Sequence, residues 1–103
     1  MGYPDKTVIS LNEKIKNESL TRNILQEADA ITGGDRQENY GHPKKNFADI
    51  AKAWSVVLGL EVTPRQVGQC MVMLKVCRDM HYKKRDNLVD IAGYARNMEM
   101  IDD

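Results

Sequence analysis

The sequence predicts an all-α fold, a small four-helix bundle, and three observations lead to this fold class. Apolar residues recur at three- and four-residue steps along four segments, which is the periodicity of amphipathic helices. The connections between these segments are short, and no internal repeat interrupts them. With 103 residues, of which 42% are hydrophobic, the chain fills one core and is too short for two.

The first helix is predicted over residues 19–32, where Gly33 and Gly34 supply its end. Its apolar stripe is narrow, so it packs on one side only; the stripe consists of Leu20, Ile24, Ala28 and Ile31. The preceding residues 1–17 are polar, with one short β-like run over 7–11 that has no visible partner strand. We therefore expect an N-terminal arm that is flexible or docks on a partner, followed by a helical domain over 18–103.

The second and third helices have clear start signals. Pro43 opens a helix over 43–58, and Thr63 followed by Pro64 and Gln66 predicts a capped start for a helix over 64–81. The third helix is apolar on nearly all sides, so we expect it to be the most buried and central one. Cys70 and Cys77 stand two helical turns apart within it, a spacing that favours packing in the core over metal binding.

The fourth helix is predicted over 86–101, with Asp86 as a possible N-cap after the basic stretch 81–85. The predicted core brings together one residue of the second helix, one of the third and two of the fourth. These are Trp54, Leu74, Ile91 and Ala95, with Phe47 and Met71 close by. A central helix that is apolar all round, in a chain with six methionines, also predicts a homo-oligomer.

Charge and hydropathy exclude several classes of protein. Lysine plus arginine and aspartate plus glutamate each total 15, so the chain has none of the basic excess of a general nucleic-acid-binding protein. No apolar run approaches the roughly 18 residues that a membrane span requires. The first residues lack the order of a secretory signal, so we expect a cytoplasmic location.

Polar residues on two helices are the first candidates for chemistry. Asp86, Asp90, Tyr94 and Asn97 fall on one face of the fourth helix, and carboxylate and amide oxygens on one face are suited to a hard cation such as Mg²⁺. The alternative interpretation is a solvated face with Asp86 as the cap. Asn46 and Asp49 lie one turn apart on the second helix and leave the same two interpretations open.

Lys75 interrupts the most apolar run of the chain, where an unpaired ammonium group would be costly. Either its stem reaches the surface, or its ammonium group meets a carboxylate or a phosphate in a cleft. Because the second and fourth helices both pack on the third, we expect Asp49 and Asp90 to converge beside Lys75. The cations that follow Lys75 would add phosphate contacts or lie in solvent; they are Arg78, Lys83, Lys84 and Arg85.

The segment between the first two helices, residues 34–43, is predicted to be an ordered loop. It carries Arg36, Tyr40 and His42, which together offer an ion-pairing fork, an aromatic face and an imidazole. The loop is either the lip of a site or a structural loop fixed by hydrogen bonds.

Three runs carry a resemblance to known proteins: ITGGDRQENYGHPKKNFADIAKAW, VTPRQVGQCMVMLKVCRD and DNLVDIAGYA. Together they resemble a group of short, mostly uncharacterised phage and prophage proteins, over about residues 19–101. The resemblance implies the host cytoplasm as the location of a phage-encoded chain and brings no activity with it.

NLVDIAGYA also resembles, more distantly, the ExxD helix of MazG-like all-α nucleoside triphosphate pyrophosphohydrolases. Asp90 then occupies the position of the second acid and Asn87 that of the first. Asn46 and Asp49 are similar in the same way to the ExxE motif of that superfamily, with an amide again in place of the first acid. Two amides imply weaker Mg²⁺ binding, which Asp86 would offset if it points inward.

The resemblance implies a Mg²⁺-dependent enzyme that splits a (d)NTP between its α- and β-phosphates. Its catalytic residues would be Asp49, Asp90 and Lys75, and Asp49, Asp86 and Asp90 would hold the metal. The nucleotide would contact Arg36, Tyr40, His42, Asn46, Asn87 and Tyr94. Two alternatives stay open: a protein that binds or sequesters a nucleotide without turnover, which the two amides favour, and a helical protein-protein adaptor.

Overall fold

The computed structural model describes residues 21–34 and 41–102. These ranges contain four helices, α1 (Ile24–Gly33), α2 (Pro43–Leu58), α3 (Pro64–His81) and α4 (Arg85–Ile101), and no β-strand. The predicted all-α bundle is therefore confirmed. The N-terminal arm and the predicted start of the first helix at residue 19 lie outside the described ranges.

Helix α1 begins at Ile24, because Asn23 caps it. The Gln26 backbone N–H donates to Asn23 Oδ1 at 2.8 Å, and the Asn23 backbone N–H donates to Gln26 Oε1 at 2.9 Å. This reciprocal pair satisfies two N–H groups that the first turn would leave without acceptors. Asn23 was missed as a cap because the apolar stripe seemed to continue through it from Leu20.

The junction between α2 and α3 follows the sequence signals. Helix α2 ends at Gly59, which takes the left-handed conformation at φ 68° and donates its N–H to the Ser55 carbonyl. Helix α3 starts with the predicted capping box, in which the Gln66 N–H donates to Thr63 Oγ1 at 3.1 Å. The Thr63 N–H donates in return to Gln66 Oε1 at 2.9 Å.

The start of α4 differs from the prediction. Lys84, and not Asp86, occupies the N-cap position, and no side chain accepts a hydrogen bond from the first turn there. Asp86 lies inside that turn, where its negative charge suits the helix dipole. The Lys84 backbone N–H donates instead to Asp79 Oδ1 at 3.2 Å, which joins the end of α3 to the start of α4.

The core lies where α2, α3 and α4 meet. Phe47, Ala51 and Val67 are buried in it, and six half-buried residues pack around them. These are Ile50, Trp54, Val62, Met71, Tyr94 and Ile101. The predicted positions of Phe47 and Met71 are thus confirmed, whereas Trp54 lies at the edge of the core.

The other predicted core members correct the expectation for α3. Leu74 is 41% exposed and Ala95 is exposed, while Ile91 is half-buried. Helix α3 packs against α2 and α4 and buries only Val67 and Gly68 fully. Its opposite side faces outward, so the prediction of a central, most buried helix is wrong. Cys70 and Cys77 lie on that outward side and are exposed, not core thiols.

Helix α1 packs on α4 and completes the bundle. None of the helices in the described ranges is both long and apolar enough to cross a membrane.

Candidate functional site

Lys75 on α3 pairs with Asp90 on α4. The distance from Lys75 Nζ to Asp90 Oδ2 is 2.9 Å, and the side chains are 14% and 41% exposed. Of the two interpretations of Lys75, the structure shows the one in which the ammonium group meets a carboxylate. The predicted approach of Lys75 to Asp90 is therefore present.

Asp49 is not part of this pair, since its carboxylate bonds to Lys45 one turn earlier on α2, at 2.9 Å. The hydrogen bond and the positive charge of Lys45 lower the pKa of Asp49, and the pKa of Lys45 is raised for the same reason. Asp86 is exposed. Within the described ranges no three histidine, cysteine or acidic side chains are grouped so that they could hold a metal ion. The structure thus does not gather Asp49, Asp86 and Asp90 around one cation.

Two of the predicted nucleotide-binding residues have local partners. Asn87 is 7% exposed, and its Nδ2 donates to Asp79 Oδ1 at 3.2 Å and to the Tyr82 carbonyl at 3.3 Å. His42 is the N-cap of α2, where its Nδ1 accepts from the Lys44 N–H at 3.1 Å. Both side chains therefore hold the backbone in place at a helix end.

The remaining predicted nucleotide contacts are dispersed. Asn46 is half-buried on α2. Tyr94 packs on the core, with its ring centroid 6.5 Å from that of Phe47. Arg36 and Tyr40 lie outside the described residues.

The polar face of α4 points toward α1. Asp90, Tyr94 and Asn97 line a cavity of about 20 Å³ against Ala28 and Thr32 of α1. Asn97 is 2% exposed, and its Oδ1 has no hydrogen-bond partner within the described part of the chain. The face predicted from residues 90, 94 and 97 is therefore covered, but the cavity has room for about one water molecule and not for a nucleotide.

A larger pocket, which we name the α3–α4 pocket, lies where α3 ends and α4 begins. Its volume is about 460 Å³, within the roughly 300–1,000 Å³ of ligand sites. Its lining consists of Cys77, Arg78, His81, Tyr82, Lys84 and Asn87. Tyr82 is 66% exposed, and Lys84 Nζ lies 5.7 Å from the centroid of its ring.

Three basic side chains line this pocket. Within the described residues, Arg78, His81 and Lys84 take part in no ion pair. The nearby Asp79 uses Oδ1 to accept from Lys84 N and Asn87 Nδ2. Among the described residues, the pocket thus presents Arg78 and Lys84 without ion-pair partners, although the carboxylates of Asp79 and Asp86 also lie at the start of α4. Two such basic side chains around one pocket are suited to an anion.

The sequence signal for this pocket was the run of cations after Lys75. Arg78 and Lys84 were predicted as phosphate contacts beside Lys75, but they line the α3–α4 pocket, whose lining does not include Lys75. Arg85, from the same run, instead pairs with Glu27 of α1. His81 and Tyr82 were missed, because only the lysine and arginine residues of this stretch were considered as phosphate contacts.

Comparison with known proteins agrees with the predicted phage family. The family described as "Domain of unknown function (DUF6378)" matches residues 23–102. The chain is 39% identical over 84 residues to the Gene 55 protein of Mycobacterium phage D29, covering 80% of this chain and 55% of the relative. It is 41% identical over 78 residues to the Gene 55 protein of Mycobacterium phage L5, covering 74% and 50%. The chain thus spans about half the length of these curated relatives.

No solved structure matches the chain at a significant level. The matched family and relatives carry no MazG-like description, so that resemblance stays a prediction. The prediction of an uncharacterised phage protein family is confirmed, and the chain belongs to the family of the domain of unknown function DUF6378.

Proposed function

We propose that this chain binds the phosphate groups of a nucleotide in the α3–α4 pocket and does not turn the nucleotide over. The observation that carries this proposal is the presence of Arg78, His81 and Lys84 around one pocket of about 460 Å³, without an acidic partner for any of them among the described residues. Three donors around a cavity of that size suit a polyanion of nucleotide dimensions.

Different residues of the pocket lining suit the phosphate groups and the base of such a ligand. The planar guanidinium of Arg78 has the geometry to bond two phosphate oxygens at once, and Lys84 adds a point charge. Tyr82 presents an exposed aromatic ring on which a base can stack. Within the described residues, the hydrogen bonds of Asn87 to Asp79 and Tyr82 use only its nitrogen, so its Oδ1 can accept a hydrogen bond from a ligand.

The positions of the carboxylates support binding without hydrolysis. In the MazG-like pyrophosphohydrolases that the sequence resembles, four carboxylates hold the Mg²⁺ ion that orients the attacking water. In the described ranges Asp49 pairs with Lys45, and Asp90 pairs with Lys75. Asp49 and Asp90 therefore take part in separate ion pairs, which favours the non-catalytic alternative over a pyrophosphohydrolase.

The experiment is isothermal titration calorimetry of the full chain with ATP and dATP, with and without Mg²⁺. We expect saturable binding that persists without Mg²⁺, weakens at high salt because the contacts are ionic, and drops by roughly tenfold or more in Arg78→Ala. Arg96→Ala is the matched control. It also removes an arginine, but one that pairs with Glu99 on α4 and does not line the pocket.

Two outcomes would contradict the proposal. Release of pyrophosphate in the presence of Mg²⁺, abolished by Asp90→Ala, would establish the hydrolase. Absence of binding to every nucleotide tested, with the chain folded by circular dichroism, would favour the protein-protein adaptor.

A further inference from the structure

Asn87 differs from the other described residues that line the α3–α4 pocket, because it is buried and the other five are exposed. It stands in the first turn of α4 and is 7% exposed. A buried amide is unfavourable unless its polar atoms have hydrogen-bond partners. The partners of Asn87 therefore show which of its atoms the fold uses and which atom a ligand can reach.

The hydrogen bonds of Asn87 fix the orientation of its amide group. Nδ2 donates to Asp79 Oδ1 at 3.2 Å and to the Tyr82 carbonyl oxygen at 3.3 Å. Both partners are acceptors, so turning the amide by 180° would place Oδ1 against two oxygens with no hydrogen between them. The amide nitrogen therefore faces these partners, and the amide oxygen faces away from them.

The amide oxygen of Asn87 is available to a ligand. Among the described residues Oδ1 has no hydrogen-bond partner, and it is not fully buried as Asn97 Oδ1 is. Because the side chain lines the pocket and little of it is exposed, its oxygen is reached from the pocket. Donation by Nδ2 to the carboxylate of Asp79 also polarises the amide, which makes Oδ1 a stronger acceptor.

The pocket lining therefore combines two opposite requirements. Arg78 and Lys84 are positively charged donors, which suit ionised phosphate oxygens. Asn87 Oδ1 is an acceptor, and an ionised phosphate oxygen is an acceptor too, so these two atoms repel each other. A ligand that meets both requirements has phosphate groups on one part of the molecule and a neutral hydrogen-bond donor on another.

We infer that Asn87 selects nucleotides whose base carries an exocyclic amino group, as adenine and cytosine do; this inference rests on the proposed function. The amide nitrogen of Asn87 lies against the backbone of Tyr82, whose exposed ring is the surface on which a base can stack. The acceptor thus stands beside the residue that holds the base. Adenine and cytosine present an amino donor where guanine and thymine present a keto acceptor, which Asn87 Oδ1 repels.

Isothermal titration calorimetry of the wild-type full chain tests this selection with two pairs of nucleotides, ATP against ITP and CTP against UTP. Within each pair a keto oxygen replaces the amino group, while the sugar and the phosphates stay the same. We expect the amino member of each pair to bind roughly tenfold more tightly. This is the contribution of about one hydrogen bond in an open pocket, where water still reaches the amide oxygen when the ligand offers no donor.

Asn87→Ala should remove the difference within each pair, because it removes the acceptor while Arg78 and Lys84 still bind the phosphates. Gln69→Ala is the matched control, since it removes a side-chain amide of α3 that is exposed and does not line the pocket. This control should keep the difference. Circular dichroism shows whether the Asn87 variant folds, and the comparison of nucleotides on the wild-type chain does not depend on it.

The outcomes separate this inference from the proposed function. Equal affinities within both pairs, or tighter binding of the keto members, would overturn the selection by Asn87 and leave nucleotide binding in place. A folded Asn87→Ala variant that keeps the wild-type difference would have the same meaning. Absence of binding to all four nucleotides would overturn the proposed function and this inference together.

Discussion

Gly68 of α3 packs directly against the Met98 side chain of α4. A Cβ added at this buried position would lie 2.4 Å from Cγ and 2.8 Å from Sδ of Met98, and 3.4 Å from Cε2 of Phe47. Real Cβ atoms essentially never lie within 3.0 Å of another heavy atom, so the two contacts with Met98 mean that Gly68→Ala forces the Met98 side chain to move, whereas the distance to Phe47 is an ordinary contact. We therefore expect Gly68→Ala to destabilise the bundle.

The size of the change in the free energy of unfolding of Gly68→Ala follows from two opposing effects. Replacing glycine by alanine inside a helix gains about 0.8–1 kcal/mol, because the unfolded glycine has more freedom to lose. Adding a methyl group to a filled site costs about 1–3 kcal/mol. The net loss in the free energy of unfolding should thus be about 1 kcal/mol.

Gly93 in α4 supplies a matched control, since its added Cβ would lie 3.6 Å from Cγ2 of Thr32, an ordinary contact distance. Gly93→Ala should therefore gain most of the higher helix propensity of alanine and raise the free energy of unfolding by about 0.8–1 kcal/mol. In thermal unfolding at one fixed protein concentration, the two variants should shift Tm in opposite directions, each by about 4–8 °C.

Making Gly68→Ala in a Met98→Ala background tests whether the contact with the Met98 side chain causes the loss of stability. Without the methionine side chain, Gly68→Ala should become neutral or stabilising. If Gly68→Ala and Gly93→Ala raise Tm alike in the wild-type background, the close packing of α3 on α4 at Gly68 is wrong.

Three further predictions concern polar groups. Asp90→Ala should lower the free energy of unfolding by about 1–2 kcal/mol, because it leaves the largely buried ammonium group of Lys75 without its partner. Lys75→Met leaves an Asp90 carboxylate that water still reaches, so this variant should lower the free energy of unfolding by less. Equal losses of the two variants in urea unfolding would contradict this order. Thr63→Ala should cost about 1 kcal/mol in the same assay through loss of the α3 cap, and a neutral result would remove the cap's role. In an NMR titration, Asp49 should show a pKa below the ordinary carboxyl value, and this pKa should return toward the ordinary value in Lys45→Ala. The small stabilisation from the pair is present above the ordinary carboxyl pKa and is lost as the pH falls through the lowered pKa of Asp49. An unchanged pKa of Asp49 in the variant would refute the pairing.

The helix ends that sequence could predict are those fixed by local chemistry. Thr63, Pro64 and Gln66 specify the start of α3 through hydrogen bonds within four residues, and Gly59 supplies the left-handed residue that ends α2. The start of α4 was less predictable. There Asp79, five residues before Lys84, accepts the N–H of Lys84, so the turn is held from the preceding helix and not by a cap of its own.

The errors in the core and in the site have one physical cause each. Apolar periodicity shows which faces of α3 avoid water, but it does not show whether a helix of the same chain or a second molecule covers each face. Leu74 was therefore assigned to the core although it is exposed. Asp49 was assigned to a shared site although Lys45, at the i–4 position, offers a partner that needs no tertiary contact at all.

Hydrogen-bond and ion-pair partners separate the polar residues that the fold explains from those that it does not. Asn87 and His42 each bond to nearby backbone and would be retained for folding alone. Arg78, His81 and Lys84 have no acidic partner in the described part of the chain, yet they stand around one pocket. Arg78 and Lys84 are two cations without ion-pair partners among the described residues, and such cations repel one another and weaken a fold unless an anion joins them. Their grouping is therefore a feature that folding of the described residues does not account for, and an anionic ligand is the occupant that would make it favourable.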